Sequence, residues 1–170
     1  MLRIILTGPE SSGKTTLCKD LSSHYNLPLI NEYARKFLNT LNRKYNKDDL
    51  LYIANNQLES EKQESSIIFC DTDLITIKIW SEYKYASCNY NILKHIKEQI
   101  NENRIYLLCY PDISWEFDEL RENKYNRIEI FNLYVKELDK LGHHYLIIKG
   151  NDRFNKALGF IENYLKLGQS

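Results

Sequence analysis

The chain has 170 residues, of which 43% are hydrophobic, and its 23 basic residues balance its 23 acidic ones. This length fits one domain with a sizeable core, and the zero net charge excludes a general electrostatic attraction to nucleic acid or an anionic membrane. No apolar run is long enough for a membrane-spanning helix or a signal-peptide core, and four cysteines without CxxC spacing are typical of reduced thiols. We therefore expect one soluble, cytoplasmic domain over residues 1–170, with a small-molecule partner, no nucleic-acid or membrane partner, and no local pattern that indicates an oligomeric state.

The first predicted strand, Leu2–Leu6, leads into the segment GPESSGKT, which fits the phosphate-binding pattern GxxxxGK[ST]. In such a turn, backbone N–H groups converge on phosphates, and the positive end of the following helix strengthens their attraction for negative charge. Lys14 supplies a mobile positive charge for the β- and γ-phosphates, and the Thr15 hydroxyl is placed to ligate Mg²⁺. The pattern predicts a nucleoside triphosphate site formed by Gly8, Glu10, Ser11, Ser12, Gly13, Lys14, Thr15 and Thr16.

The second predicted strand, Leu27–Ile30, is followed by a carboxylate, an aromatic ring and a guanidinium, from Glu32, Tyr33 and Arg35. In a kinase, a carboxylate that accepts the hydroxyl proton of the acceptor orients this nucleophile toward the γ-phosphate. Both Glu32 and Asp71 are candidates for that role. The alternative interpretation of Glu32 and Arg35 is a surface pair at the start of a helix.

The third predicted strand, Ile67–Cys70, runs directly into Asp71 and Asp73. Four apolar residues followed by aspartate form the Walker B pattern, in which the carboxylate reaches the Mg²⁺ shell opposite the P-loop. Thr15 and Asp71 are therefore the expected metal ligands. Asp73 has two interpretations, a substrate contact or the cap of the helix that begins near residue 74, and Trp80 is either a ring for a base or a core residue.

The fourth predicted strand, Ile105–Tyr110, precedes a polar stretch that we interpret as a lid over residues 112–127. Phosphoryl transfer spreads negative charge over the equatorial oxygens, and arginines carried by a closing segment neutralise this charge while water is excluded. Arg121 and Arg127 are the predicted pair, and Trp115 offers a flat face to a base or a cationic ring.

The fifth predicted strand, Tyr145–Ile148, is followed by Gly150, Asn151, Asp152 and Arg153. Asn151 and Arg153 are candidate contacts to the adenine of the nucleotide. The same segment also fits a turn followed by a helix cap.

Helical patterns separate these strands, including one after Lys14, one from Asp48, one from Arg127 and one that ends the chain. Alternating strands and helices imply parallel βαβ crossovers and a sheet covered on both faces. We predict an α/β P-loop NTPase fold of the nucleoside- and nucleotide-kinase type, with a five-stranded, mainly parallel sheet, helices on both faces and a short lid. Ligands are expected at the carboxyl ends of the strands.

Four segments of the sequence together resemble the ribosylnicotinamide kinase domain of NadR-type proteins, over Leu2 to about Arg153: GPESSGKTTL, NEYAR, FCDTDLITIKIWSEYKY and PDISWEFDELRENKYNR. The resemblance implies an ATP- and Mg²⁺-dependent kinase that phosphorylates the ribose 5′-hydroxyl of nicotinamide riboside, giving nicotinamide mononucleotide for NAD salvage. It implies that Lys14 and Thr15 hold triphosphate and metal, that Asp71 serves the metal or the hydroxyl, and that the lid arginines are Arg121 and Arg127. It also implies a nicotinamide and ribose pocket drawn from Tyr33, Trp80, Trp115 and Asp118.

One feature of the larger NadR proteins does not fit this sequence. They join the kinase to an adenylyltransferase with an HxGH-type signature, and some add a DNA-binding helix-turn-helix. The four histidines here, His24, His95, His143 and His144, contain no such signature, and Met1 directly precedes the first strand. We therefore expect neither adenylyl transfer nor repressor activity from this sequence.

Two other functions stay open at the level of sequence. A P-loop kinase for another nucleoside or a nucleoside monophosphate would share the fold and phosphate chemistry, and would differ only in acceptor contacts worth a few kcal/mol. A nucleotide-dependent switch or binding module is the second alternative. A guanine-binding switch would normally carry an NKxD element, and the nearest string, Asn123–Asn126, ends in asparagine where a carboxylate is needed.

Overall fold

The computed structural model describes residues 1–168. Five strands alternate with helices in the order β1 (Leu2–Thr7), α1 (Lys14–Tyr25), β2 (Leu29–Ile30), α2 (Tyr33–Leu38), α3 (Lys47–Ser60), β3 (Ile67–Asp71), α4 (Leu74–Tyr85), α5 (Tyr90–Gln99), β4 (Arg104–Cys109), α6 (Arg127–Leu141), β5 (His144–Ile148) and α7 (Arg153–Leu167). The sheet order is β2-β3-β1-β4-β5, and every pairing is parallel. The predicted α/β P-loop fold is confirmed.

Apolar side chains cover both faces of the sheet. On one face, α1 and α7 pack on β1 and β4 through residues such as Leu21 and Ile161, which are fully buried. On the other, α4 and α6 pack through residues such as Ile75 and Leu138. A third cluster joins α2, α3 and α5 to the outer side of α4, so α4 lies between two apolar clusters and positions the polar groups at its start.

Strand β2 is shorter than predicted because two of its expected residues have other roles. The Leu27 N–H donates to Ser22 O (3.0 Å) and closes the end of α1. Pro28 has no N–H to donate to a ladder, although its carbonyl still accepts from Phe69 N (2.9 Å). Only Leu29 and Ile30 therefore form ladder pairs with β3.

The polar segment between β4 and α6 has no helix or strand over residues 110–126. It lies above the carboxyl ends of the strands, as expected of the lid. Arg127, at the end of the segment predicted as a lid, is the first residue of α6 and so is held by a helix rather than by a loop. Among the described residues, no helix is both long enough and apolar enough to cross a membrane.

Candidate functional site: a P-loop cavity under a lid

The turn between β1 and α1 has the backbone shape that the glycine pattern predicts. Gly8 has φ +132°, and a Cβ there would lie 2.5 Å from the Cys109 carbonyl oxygen of β4. Gly13 has φ +80° and is the N-cap of α1. Both positions therefore require glycine, and the turn leaves the first N–H groups of α1 free to face an anion.

Lys14 lies at the start of α1 with its ammonium over the turn. Its Nζ donates to Pro9 O (2.7 Å), and Ser12 Oγ donates to the same carbonyl (2.8 Å). A single backbone carbonyl is a weak partner for an ammonium, so this group is available to a phosphate oxygen.

Thr15 and Asp71 meet across the gap between α1 and β3, as predicted. The Thr15 hydroxyl donates to Asp71 Oδ2 (2.6 Å), while Asp71 Oδ1 is buried without a hydrogen-bond partner. Within residues 1–168, no three histidine, cysteine or acidic side chains group closely enough to hold a metal by themselves. Mg²⁺ commonly uses only one or two protein oxygens, with phosphate and water supplying the rest, so Thr15 and Asp71 fit it.

Glu32 approaches the cavity from the end of β2, where it precedes α2. Its side chain is only 15% exposed, and the nearest nitrogen of Arg35 is 4.0 Å away. Burial, with a smaller contribution from the charge of Asp71, raises the pKa of this carboxyl to about 7. Glu32 can therefore exchange a proton near neutral pH.

Arg35 connects α2 to the lid. Its guanidinium donates to Asp118 Oδ2 (2.6 Å), and this hydrogen bond holds the pKa of the Asp118 carboxyl below its usual range. Arg121, three residues further along the lid, has its Nε 3.9 Å from the same oxygen and donates from Nη1 to Glu116 O (2.6 Å). These contacts bring a guanidinium of the lid over the P-loop cavity.

Arg127 contacts both the P-loop and the lid. The Nη1 atom of Arg127 donates to both Ser11 O and Ile113 O, each at 3.1 Å. The Trp115 ring lies between the two lid arginines, with centroid distances of 6.0 Å to Arg121 Cζ and 5.7 Å to Arg127 Cζ. Trp115 therefore stacks with arginines in this structure and does not line the cavity itself.

Two side chains of the P-loop hold the lid directly. The Glu10 carboxylate accepts from the backbone N–H groups of Glu122 (3.1 and 3.2 Å) and Asn123 (2.9 Å). Ser11 Oγ accepts from Glu116 N (3.0 Å) and donates to Ser114 O (3.3 Å). Glu10, predicted to contact the nucleotide, is thus also a lid contact.

A cavity of about 160 Å³ joins these groups. The predicted residues that line it are Gly8, Glu10, Ser11, Ser12, Gly13, Lys14, Thr15, Thr16, Glu32, Arg35, Trp80 and Arg121. Asp71 does not line this cavity itself but contacts Thr15, which does. Arg127 and Asp118 contact it through residues of the lid.

Asp73 is the clearest departure from the predicted site. It is fully buried, its Oδ1 accepts from Ile75 N (3.1 Å), and its Oδ2 accepts from Tyr106 OH (2.8 Å). The structure thus places Asp73 as the cap of α4, with both carboxylate oxygens engaged by core groups and not directed into the cavity.

Three other predicted residues lie outside the cavity. Tyr33 packs against Phe37 and Tyr52, and its N–H donates to Gln57 Oε1 (2.9 Å). Asn151 is exposed, and only its backbone carbonyl is engaged, by Lys156. Arg153 lies behind the P-loop and donates to Ser12 O (2.7 Å) and Tyr110 O (2.9 Å), so it supports the turn from the rear.

Two threonines of the cavity were not predicted. Thr72 follows the Walker aspartate with φ +71°, and Thr76 lies in the first turn of α4, where its hydroxyl is 3.2 Å from the Thr7 hydroxyl. Their position between Asp71 and Trp80 was the available signal, since the first turn after a Walker strand faces the site. The remaining unpredicted lining residues are Leu38, Ile113, Glu116 and Leu120.

Comparisons with known proteins agree with this fold. The family model described as AAA domain matches residues 3–153, whereas no curated protein matches the sequence. A NadR protein in complex with NR has a TM-score of 0.73 and 21% identity, over 96% of this chain and 51% of that one. NadR with NAD and AMP-PNP gives 0.71 and 20%, over 96% and 49%. Thymidylate kinase from Ehrlichia chaffeensis gives 0.61 and 16%, over 94% and 98%. The chain spans about half the length of the NadR structures that it matches.

Proposed function

Because the chain belongs to the AAA domain family, we propose that it is a P-loop kinase that transfers the γ-phosphoryl group of ATP to a hydroxyl of a nucleoside. One observation carries this proposal. A single cavity collects the P-loop, Lys14, Thr15 and the Glu32 carboxylate beneath a lid that brings Arg121. A phosphate site, a candidate base and a lid arginine are the parts that phosphoryl transfer to an alcohol requires.

The protein groups act mainly by positioning and by neutralising charge. The N–H groups of the P-loop and the Lys14 ammonium bind the β- and γ-phosphates. Thr15 and Asp71 would hold Mg²⁺, which would supply positive charge to the phosphates of the nucleotide. Arg121 and Arg127 meet the charge that develops on the transferred group, and the lid excludes water.

Glu32 is the proposed base. The acceptor hydroxyl oxygen forms a bond to the γ-phosphorus while the bond from that phosphorus to the leaving ADP oxygen breaks, and the hydroxyl proton passes to Glu32. A carboxyl with a pKa near 7 is matched to this task at neutral pH. Asp71 is the weaker candidate, because its Oδ2 is already engaged by the Thr15 hydroxyl and its place suits the metal.

The proposed acceptor is nicotinamide riboside, phosphorylated on its 5′-hydroxyl to nicotinamide mononucleotide for NAD salvage. Support comes from the motif resemblance over Leu2 to Arg153 and from the similarity to NadR structures that contain NR, NAD and AMP-PNP. The similarity to thymidylate kinase keeps other nucleosides and nucleoside monophosphates as alternatives.

The test is release of ADP from ATP and Mg²⁺ with nicotinamide riboside, compared with nucleosides, deoxynucleosides and nucleoside monophosphates. We expect nicotinamide riboside to stimulate release selectively, with nicotinamide mononucleotide as the product. Preference for another acceptor would retain the kinase and discard the substrate. Hydrolysis without stimulation by any acceptor would favour a nucleotide-dependent switch.

A further inference from the structure

A second cavity, of about 180 Å³, opens next to the P-loop cavity. The two cavities share Glu10, Leu38, Trp80 and Leu120 in their walls. The two cavities are therefore neighbours, and the second is within reach of a molecule whose hydroxyl lies near the P-loop. Neither the P-loop motif nor the Walker B motif accounts for this space.

Aromatic rings and one ion pair form much of the wall of this second cavity. Tyr45, Tyr83 and Trp80 contribute rings, while Lys84 and Glu122 contribute charges. Lys84 Nζ lies 3.0 and 3.1 Å from the two Glu122 oxygens and 3.8 Å from the Tyr45 ring centroid. Tyr45 OH donates to Glu122 (3.2 Å), and burial raises the pKa of this phenol to about 12. The tyrosine is therefore an uncharged wall.

The volume of this cavity gives a scale for the size of its occupant. An apolar cavity of about 150 Å³ accommodates a benzene molecule. The 180 Å³ present here thus fits one six-membered ring with a small substituent. A fused purine, with nine ring atoms in place of six, needs roughly half as much space again.

The charges around the cavity favour particular chemical groups on the occupant, in addition to its size. The Lys84 ammonium is a donor and the Glu122 carboxylate an acceptor, so together they match an amide edge that has a carbonyl beside an N–H. Glu10 and Glu122 outnumber Lys84, which leaves one negative charge to balance a cationic ring. The Trp80 and tyrosine faces also favour a cation.

We propose that the second cavity is the subsite for the base of the acceptor, that it selects a single six-membered ring over a purine, and that Lys84 and Glu122 recognise an amide edge on that ring. This inference rests on the proposed function, because it assumes that a nucleoside hydroxyl is placed at the P-loop.

Binding to this subsite has a direct spectroscopic reporter. The chain has two tryptophans, so in a Trp115→Phe variant the remaining one, Trp80, lines the cavity. We expect saturable changes in Trp80 fluorescence with nicotinamide riboside and uridine, and at least a ~10-fold higher concentration of adenosine for half-saturation. Equal binding of adenosine and the monocyclic nucleosides would overturn the proposal.

Two further variants each change one residue that lines the second cavity, and the turnover of different acceptors is then compared. Tyr83→Ala enlarges the cavity, and we expect the kcat/KM ratio of adenosine to nicotinamide riboside to rise by ~10-fold or more. In Lys84→Met, the preference for nicotinamide riboside over pyridine riboside, which lacks the carboxamide, falls by a similar factor. A purely structural role of Lys84 in holding the lid would slow all acceptors alike and leave this ratio unchanged, which would overturn its assigned role.

The matched control is Lys94→Met, which breaks an exposed pair with Glu98 (3.8 Å) on α5 and should leave both ratios unchanged. Efficient turnover without regard to ring size would overturn the subsite and retain the kinase. Selective binding of monocyclic nucleosides without ADP release would retain the subsite and overturn phosphoryl transfer. Absence of both binding and turnover would overturn both.

Discussion

The Thr15 hydroxyl donates to Asp71 Oδ2 at 2.6 Å, while the other oxygen of that carboxylate is buried and has no hydrogen-bond partner. A buried acceptor without a partner is costly, and a bound cation is one means of satisfying it. The Thr15 hydroxyl and the Asp71 carboxylate are therefore the groups that would hold Mg²⁺.

The first prediction concerns this carboxylate. Asp71→Asn preserves shape but removes the charge that attracts the metal. We expect turnover to fall by about 100-fold or more, since charge stabilisation is a large part of catalysis in phosphoryl transfer. We also expect the Mg²⁺ concentration for half-maximal activity to rise. Steady-state kinetics over a Mg²⁺ series measures both.

Asp73→Asn is the matched control, two residues further along the chain. Asp73 caps α4 and accepts from Tyr106 OH, so its substitution should lower the free energy of unfolding by about 1–3 kcal/mol and leave the Mg²⁺ requirement unchanged. If Asp73→Asn shifted the Mg²⁺ requirement as strongly as Asp71→Asn, the metal assignment would be wrong.

Lys14→Ala gives the second prediction, which separates phosphate binding from folding. Within residues 1–168 the Lys14 ammonium hydrogen-bonds only the Pro9 carbonyl, so its loss should change the thermal unfolding midpoint very little. Turnover should be abolished, because no other group supplies that charge to the β- and γ-phosphates. Lys19→Ala, on the exposed face of α1, is the control and should retain activity. Wild-type turnover in Lys14→Ala would exclude a catalytic P-loop.

Much of this arrangement could be predicted from the sequence because it depends on local pattern. The strand before Asp71 is a continuous apolar run, the strand before Gly8 is apolar apart from Arg3 and Thr7, and the glycine spacing fixes the turn between β1 and α1. Parallel pairing then places Thr15 beside Asp71 without further information.

The parts that sequence could not predict depend on contacts between distant residues. Whether Asp73 faced the cavity or the core depended on Tyr106, which approaches from β4. The role of Arg153 depended on the rear of the P-loop, where Ser12 O lies 2.7 Å away. The cavity next to Lys84 depends on how the lid packs against α4, and this packing leaves no periodic pattern in the sequence.

The third prediction uses the proton of Glu32. If Glu32 is the base, it must be ionised, so kcat/KM should rise with pH through about 7 and then level off. Glu32→Gln should lower kcat/KM by about 100-fold and remove this rise. A pH profile of both proteins tests the assignment, and an unchanged rise in the variant would transfer the role of the base to another group.

Glu32 also predicts an effect on stability with a defined sign. Because the pKa of the folded state, about 7, lies above that of an ordinary glutamate, the folded state binds the extra proton between about pH 4.5 and 7. The free energy of unfolding therefore falls as pH rises through this window, by at most about 3 kcal/mol. Glu32→Gln should be more stable than wild type at pH 8, and the difference should vanish near pH 4 in denaturant titrations.

Arg127→Lys provides the fourth prediction. Arg127 donates to Ser11 O and Ile113 O from one nitrogen, and we expect its other donors to meet the transferred phosphoryl group. Lysine keeps the charge but not the planar fork. We expect kcat to fall by about 10- to 100-fold with a smaller change in the KM for ATP. Lys124→Ala, an exposed lid substitution, should leave kcat unchanged, and a pure KM effect in Arg127→Lys would instead indicate a ground-state contact.

The last prediction concerns Glu10, whose carboxylate accepts three contacts from the Glu122 and Asn123 N–H groups. If these bonds close the lid, Glu10→Ala should raise the open population by about 10-fold, because charged hydrogen bonds contribute about 1.5–3 kcal/mol each before solvent screening. Trypsin should then cleave faster after Lys124, while Glu98→Ala on α5 cleaves at the wild-type rate. Affinity for an ATP analogue should change little, since the Glu10 oxygens face the lid. A large loss of nucleotide affinity with unchanged cleavage would return Glu10 to the role of nucleotide ligand.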